Sequence, residues 1–287
     1  MSRNPYHSGN VEPALKRSVL AFFDILGYIK TAEDAYKAGT QAEMLVALYK
    51  ALTDGRSWLE EKSFGEEFED VKEAFNEAFT KDRYALKAFT DNIVIGWPIS
   101  NDAESELADA VEKLIDFQFN MAVAGFFVRG AIAIGDAYVD DIVVFGKALL
   151  DAHEAESKIA RDPRIVLTLP ATVALKLHLT YYPNPRGTRH VRTVLRDADG
   201  QWFVSYLQAV LYAAEDTGPA YGALLEHKEV VEARLSQFKS EPRIWAKYAW
   251  VAGYHNYFCD TNSDWFDGAH KIDLDLFRAT PGPIVEP

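Results

Sequence analysis

The sequence predicts a chain of mixed α and β structure, with strands and helices alternating around one sheet. Three observations carry this expectation. Residues 19–25 (VLAFFDI) form a short, nearly continuous apolar run of the kind a buried strand needs, and residues 164–169 (RIVLTL) form another. Between them, residues 104–124 carry Leu107, Val111, Leu114, Ile115 and Phe119 at helical spacing. The resulting order is strand, helix, hairpin, helix, strand, helix, strand, which layers helices on a single sheet.

Each element follows from its local pattern. Gly27 marks a turn after the first strand, and Leu45, Leu48, Tyr49 and Leu52 predict a helix over about residues 32–52. Residues 58–81 are acidic and punctuated by Phe, as in a loop leading into a solvated helix. Residues 84–97 (YALKAFTDNIVIGW) predict two strands joined by a tight turn at Asp91–Asn92. GFFVRGAIAIG predicts a strand ending near Gly135, followed by a helix over residues 146–160. Beyond Pro170 a helix, a loop (YYPNPRGTRH) and a short hairpin (RTVLRDADGQWFVSYL) are expected. Two helices and a Pro-containing tail then complete the chain. Residues 1–170 thus form a core and residues 171–287 an extension packed on it, one domain overall.

Composition narrows the function. With 287 residues, 48% of them hydrophobic, the chain can bury a full core. A formal net charge of −13 argues against a nucleic-acid surface, which needs a basic face. The single cysteine, Cys259, excludes an internal disulfide and a cysteine-based zinc cluster, and suits a reducing compartment. No apolar run has the length of a membrane span, and the first ten residues lack a signal-peptide core. A cytoplasmic protein is expected.

A carboxylate closing an apolar strand needs a reason. If the strand of Asp24 lies beside the hairpin of Asp91, as consecutive strands usually do, the two carboxylates meet at one end of the sheet. Two aspartates and a backbone carbonyl make an oxygen-only site, suited to Mg²⁺ or Mn²⁺. Two such ions clamp a triphosphate, one activating a hydroxyl nucleophile and one holding the leaving pyrophosphate. The amides of Leu26, Gly27 and Tyr28, at a strand-to-helix turn, are placed to cradle phosphate oxygens. Helix capping by Asp24 and turn formation by Asp91 remain the alternatives.

Four blocks in order resemble the catalytic domain of class III nucleotidyl (adenylate/guanylate) cyclases: FFDILGY, KAFTDNIVIG, RGAIAIG and FGKALLDAHEAES. The resemblance spans residues 19 to about 169. It implies an α+β fold, a ferredoxin-like βαββαβ cyclase core with a C-terminal hairpin and helical extension. It also implies head-to-tail pairing into a homodimer and formation of a 3′,5′-cyclic nucleotide with release of pyrophosphate. Carried onto this chain, Asp24 and Asp91 are the metal-binding carboxylates, Ile25 lends its carbonyl, and Leu26, Gly27 and Tyr28 hold phosphates. Lys87 aligns with a base-contacting lysine. Arg129 sits on a central strand, as a phosphate contact or a structural ion pair.

The departures point further. Where the family carries an Asn that orients the ribose and an Arg that stabilises the transition state, this chain has Leu150 and Glu154, and Thr90 replaces a glycine. In these departures, and in F-G-x-A-L, P-R-I-V-L and Tyr254-His255-Asn256, the chain is similar to the pyrimidine cyclases of bacterial Pycsar antiphage systems. That likeness implies UTP, or alternatively CTP, as substrate, and a separate effector protein that senses the cyclic product. It also makes Tyr49 a base-stacking aromatic, against the plainer role of a core tyrosine.

Val143 stands where a purine-selecting pocket keeps an acid, and the two carbonyls of uracil favour UTP beside the cationic Lys87. Lys158, Arg161 and Arg164 are candidates for the missing transition-state cation. Asp140 and Asp141 read as base contacts or as a solvated acidic turn, His255 and Cys259 as no metal site, and Trp245, Tyr248 and Trp250 as core packing. The competing functions are a catalytically silent nucleotide-binding homologue and a polymerase-like palm enzyme.

Overall fold

The computed structural model of the chain describes residues 4–7, 13–61, 84–89, 91–212 and 214–277. Residues 1–209 and 210–287 form two compact units. The acidic segment at 62–83, Thr90 and the tail from 278 lie outside the described residues.

The first unit is built on β1 (Lys16–Ile25), β2 (Ala85–Phe89), β3 (Asn92–Pro98) and β4 (Val128–Val139). Helices α1 (Tyr28–Ala38) and α2 (Gln41–Glu61) connect β1 to β2, and α3 (Glu104–Val123) connects β3 to β4. The spatial order β2-β3-β1-β4, antiparallel throughout, is the ferredoxin-like βαββαβ arrangement. A short β5 (Val144–Phe145) folds back on the end of β4, and α4 (Lys147–Lys158) returns the chain to β6 (Ile165–Leu167). β6 lies parallel to β4, and the sheet ends with β8 (Trp202–Val204) and β7 (Val194–Arg196). Helix α5 (Leu169–Leu179) follows β6, and α6 (Arg189–Thr193) leads into β7.

The period of two along β1 explains the layering. Val19, Ala21, Phe23 and Ile25 face a core shared with Leu107, Val111, Leu114 and Ile115 of α3 and with Leu48 of α2. Phe22 and Asp24 face the other side, where α4 packs and the His153 ring meets Phe22 edge-on at 5.2 Å. Ala148, Ala152 and Ala155 make the inner face of α4 small enough to lie close on the sheet, next to Gly135 of β4.

Several elements differ from expectation, among them α6 (Arg189–Thr193), a short helix where the loop and the hairpin were expected to meet. The helix predicted over residues 32–52 is split at Gly39, whose φ of 75° ends α1 with Thr40 N donating to Ala35 O at 2.9 Å. The strand predicted to end near Gly135 runs on to Val139, because β5 gives its end a pairing partner.

The second unit contains α7 (Ala214–Thr217), α8 (Tyr221–Gln237) and α9 (Pro242–Thr261). Leu224, Val231 and Leu235 of α8 and Val251, Ala252 and Phe258 of α9 are buried. Tyr248 is buried too, stacked on Phe238 with ring centroids 5.6 Å apart, as the core-packing expectation required. Among the described residues, no helix is long and apolar enough to cross a membrane.

Candidate functional site

The two aspartates come from adjacent central strands. β1 and β3 pair so that Asp24 opposes Asn92, and Ile25 N donates to Asp91 O at 3.1 Å. Both residues therefore stand at the same end of the sheet. Asn92 Nδ2 donates to Asp91 Oδ1 at 3.1 Å, which steadies the turn.

Asp24 has a further partner across the sheet. Arg129 is its register neighbour on β4 and donates from Nε to Oδ1 at 3.0 Å and from Nη2 to Oδ2 at 3.1 Å. This is a bidentate, charge-assisted pair. Nη2 also stands 2.7 Å from Oε1 of Glu156, an ion contact in which Oε1 receives no well-directed hydrogen bond. Glu156 is delivered by α4, one turn past Ala152 on the alanine face, and its side chain is only 5% exposed. Burial, and next the Asp24 charge, hold the Glu156 carboxyl above its usual range, although Arg129 and His153 pull it down. The arrangement is two carboxylates sharing one guanidinium at the sheet end.

Glu156 lies in the FGKALLDAHEAES block, closing its A-x-x-x-E spacing, but no role was assigned to it from sequence. Its signal was a glutamate falling in helical register with Ala148, Ala152 and Ala155, a position otherwise reserved for small buried side chains.

The remaining expected residues are distributed around this centre. The amide of Leu26 donates to Phe127 O at 2.7 Å, so the cradle expected over Leu26, Gly27 and Tyr28 narrows to Gly27 and Tyr28. Gly27 has φ 70°, the left-handed conformation that reverses the chain into α1. Lys87 on β2 donates from Nζ to the carbonyl of Ile142, in the turn between β4 and β5. That turn is organised by Asp140, whose Oδ1 accepts from the amides of Ile142 at 2.8 Å and Val143 at 2.5 Å while Oδ2 accepts from Tyr138 OH at 2.7 Å. Burial alone would raise the Asp140 carboxyl, but these hydrogen bonds outweigh it and hold it below the ordinary value. Asp140 is thus a buried turn-former rather than a solvated acid.

Tyr49 is not a core residue. Its helix buries Leu48 and leaves Tyr49 71% exposed, beside exposed Leu45 and Val46. Arg164 is not a free cation: it is buried, paired with Asp197 and Asp199 of the β7–β8 turn, with its guanidinium 6.0 Å from the Phe203 ring centroid. Lys158 pairs at 2.7 Å with Glu154 on the exposed face of α4. Leu150 is exposed on the same helix. His255 and Cys259 are both buried, and no cluster of three His, Cys, Asp or Glu side chains suited to a metal occurs among the described residues.

The sequence matches no protein-family profile and no curated protein. Among solved structures it is similar to a class III adenylyl cyclase-like ATP-binding protein from Pseudomonas aeruginosa, at 11% identity and a TM-score of 0.38. The match covers 61% of this chain and 39% of that one. At that level it decides nothing about the chemistry of this chain, which rests on its own residues.

Proposed function

We propose that the chain is a metal-dependent nucleotidyl cyclase. It joins the 3′-oxygen of a nucleoside triphosphate to the α-phosphorus and releases pyrophosphate. One observation carries this: Asp24 and Asp91 stand at the same end of the paired central strands of a βαββαβ sheet. The donor set suits a hard divalent cation, because the Asp24 and Asp91 carboxylates and the Ile25 carbonyl offer only oxygen. Each Asp24 oxygen accepts one hydrogen bond from Arg129, and the Glu156 carboxyl is a further hydrogen-bonding neighbour of Asp24. When bound, one or two Mg²⁺ or Mn²⁺ ions supply charge neutralisation on the phosphates.

The chain's own residues do the rest. Arg129 fixes the Asp24 rotamer, and the Gly27 and Tyr28 amides at the start of α1 face phosphate oxygens. Lys87 and Tyr49 meet the base. A lysine donor and the apolar Val143 favour a pyrimidine, and UTP over CTP, giving cyclic UMP. Ile142, Phe145 and Leu150 are exposed apolar side chains, which a homodimer closing the pocket would have reason to cover. The resemblance extends this to second-messenger synthesis in antiviral defence, with a separate effector binding the product.

A second function has its own support. The bidentate hold of Arg129 on Asp24, together with Leu150 and Glu154, favours a silent nucleotide-binding homologue.

The test is incubation of the pure protein with Mn²⁺ and each triphosphate, with detection of pyrophosphate and cyclic product. Asp24→Ala and Asp91→Ala should each abolish turnover with the fold retained, since Arg129 keeps Glu156 as a partner in the first and the Asp91 backbone carbonyl still accepts from Ile25 N in the second. Near-normal activity in either variant refutes the metal site. Triphosphate binding without turnover in the unmodified protein selects the silent homologue.

A further inference from the structure

We propose that Glu156 governs the access of a divalent cation to Asp24, by taking over the Arg129 guanidinium that otherwise holds that carboxylate. The inference rests on the metal reading of Asp24 and Asp91 given above. Glu156 is a positioning residue here, acting through Arg129, and not a ligand.

The sheet order sets the problem. β1 lies between β3 and β4, so Asp24 has the Asp91 turn on one flank and Arg129 on the other. Arg129 donates to both Asp24 oxygens, at 3.0 and 3.1 Å. The carboxylate is thus held on the β4 flank, away from the turn with which it would share a cation. A guanidinium and a divalent cation compete for the same negative charge, and a bidentate charge-assisted pair is a strong competitor. Releasing Arg129 into nothing would leave an unpaired cation that is largely buried.

Glu156 supplies the alternative. Its Oε1 is buried, lies 2.7 Å from Arg129 Nη2 and has no directed hydrogen bond. A buried carboxylate oxygen left unmet beside a donor nitrogen is an acceptor in reserve. Nη2 is the same nitrogen that donates to Asp24 Oδ2, so a small turn of the guanidinium exchanges one carboxylate for the other. Arg129 keeps an ion pair throughout. Asp24 and Glu156 also repel each other across the guanidinium they share, and a cation on Asp24 removes that repulsion. Helix α4 holds Glu156 in place for this exchange. Ala148, Ala152 and Ala155 seat the helix on the sheet and the His153 ring meets Phe22 at 5.2 Å, so Arg129 is the part that moves.

Binding of Mn²⁺ to the whole chain, read from the loss of the free-ion electron paramagnetic resonance signal, tests this without any nucleotide. Asp24→Ala should abolish the site. Glu156→Gln keeps the shape but cannot take the charge, and should weaken Mn²⁺ about tenfold. Arg129→Met should tighten it severalfold, since the competitor is gone. The decisive comparison is Glu156→Gln in the Arg129→Met background, where the loss should fall below about twofold. Circular dichroism checks that each variant is folded, and Arg129→Gln takes the place of Arg129→Met if that one is not. A Glu156→Gln loss that persists undiminished without the arginine shows a direct pull on the cation and overturns the proposal. So does a loss below about twofold with Arg129 present. Both results leave the metal reading standing. No saturable Mn²⁺ binding up to about 5 mM, or binding indifferent to Asp24→Ala, refutes that reading and this inference together.

Discussion

Arg129→Met removes the guanidinium that two carboxylates share and leaves the apolar stem largely replaced. The side chains of Arg129, Asp24 and Glu156 are 26%, 18% and 5% exposed, so solvent screens the loss only in part. Breaking a fully buried ion pair costs about 3–5 kcal/mol, and the partial exposure of Asp24 places this site near the lower end, at about 3 kcal/mol around pH 8. The cost should depend on pH. Glu156 already titrates above its ordinary value in the folded chain, chiefly through burial, and Arg129 is one of the groups holding it down. Without Arg129 its folded pKa rises further. A carboxyl whose folded pKa exceeds the unfolded one binds its proton more tightly in the folded state. Its stabilising contribution is full below the unfolded pKa and is lost as pH rises through the folded one. Each unit of added shift therefore returns about 1.4 kcal/mol to the variant on acidification. Urea unfolding followed by circular dichroism, near pH 8 and near pH 5, measures both deficits. A deficit below about 1 kcal/mol at the higher pH, or an equal deficit at both, refutes the shared-guanidinium account.

Arg164→Met should destabilise the first unit by about 3 kcal/mol or more in the same assay, because it strands Asp197 and Asp199 beside a buried site; a loss under about 1 kcal/mol contradicts that role. Gly130→Ala should cost at least about 2 kcal/mol, since a Cβ there runs into the Phe22 carbonyl and lies 2.7 Å from Phe23 Cα; a neutral result means that β1 and β4 part freely. His255 is buried, its Nδ1 3.1 Å from that of His227 and its Nε2 donating to His270 O at 2.8 Å, and burial pushes its pKa down to about 4. A depressed histidine stabilises above its unfolded pKa and loses that stability as pH falls, so about 3 kcal/mol should vanish between about pH 6.5 and 4 on account of His255; by urea unfolding, His255→Phe should remove that part of the acid loss and leave the part due to His227, which burial also holds well below the usual range.

The strand order was legible because apolar runs and one Asx turn mark β1, β2, β3 and β6 locally. The hairpin of β7 and β8 was legible from its turn residues. The break at Gly39 was not, because the apolar positions continue at helical spacing on both sides of the glycine. The buried face of α2 was misassigned for a related reason. Leu45, Leu48, Tyr49 and Leu52 all fit one helical stripe, but Leu48 is buried while Leu45 and Tyr49 are exposed. Periodicity marks which residues share a stripe and not which part of it meets the core. At the site, register placed Asp24 and Asp91 at one end of the sheet, but through β3, the strand after the Asp91 turn, and not through β2, the next strand in sequence. The partners of Arg129 and Arg164 were not foreseeable, since a charge 33 residues distant in sequence, as Asp197 is from Arg164, leaves no local pattern.

Helix α4 separates the structural from the chemical demands on this end of the sheet. Its inner face carries Ala148, Ala152, Ala155 and Glu156, and these set how closely it lies on β4 and what meets Arg129. Its outer face carries Leu150 and Glu154, the positions that the sequence resemblance would align with a ribose-orienting Asn and a transition-state Arg. Leu150 is exposed, and Glu154 touches only Lys158 of its own helix among the ion pairs described. Neither residue is needed to seat α4, so neither departure has a cause in the fold. The demands on Leu150 and Glu154 therefore lie outside the packing of α4, and Leu150, exposed as Ile142 and Phe145 are, is where the proposed homodimer can be tested: Leu150→Lys should lower a dimer population measured by light scattering, and an unchanged population counts against that surface.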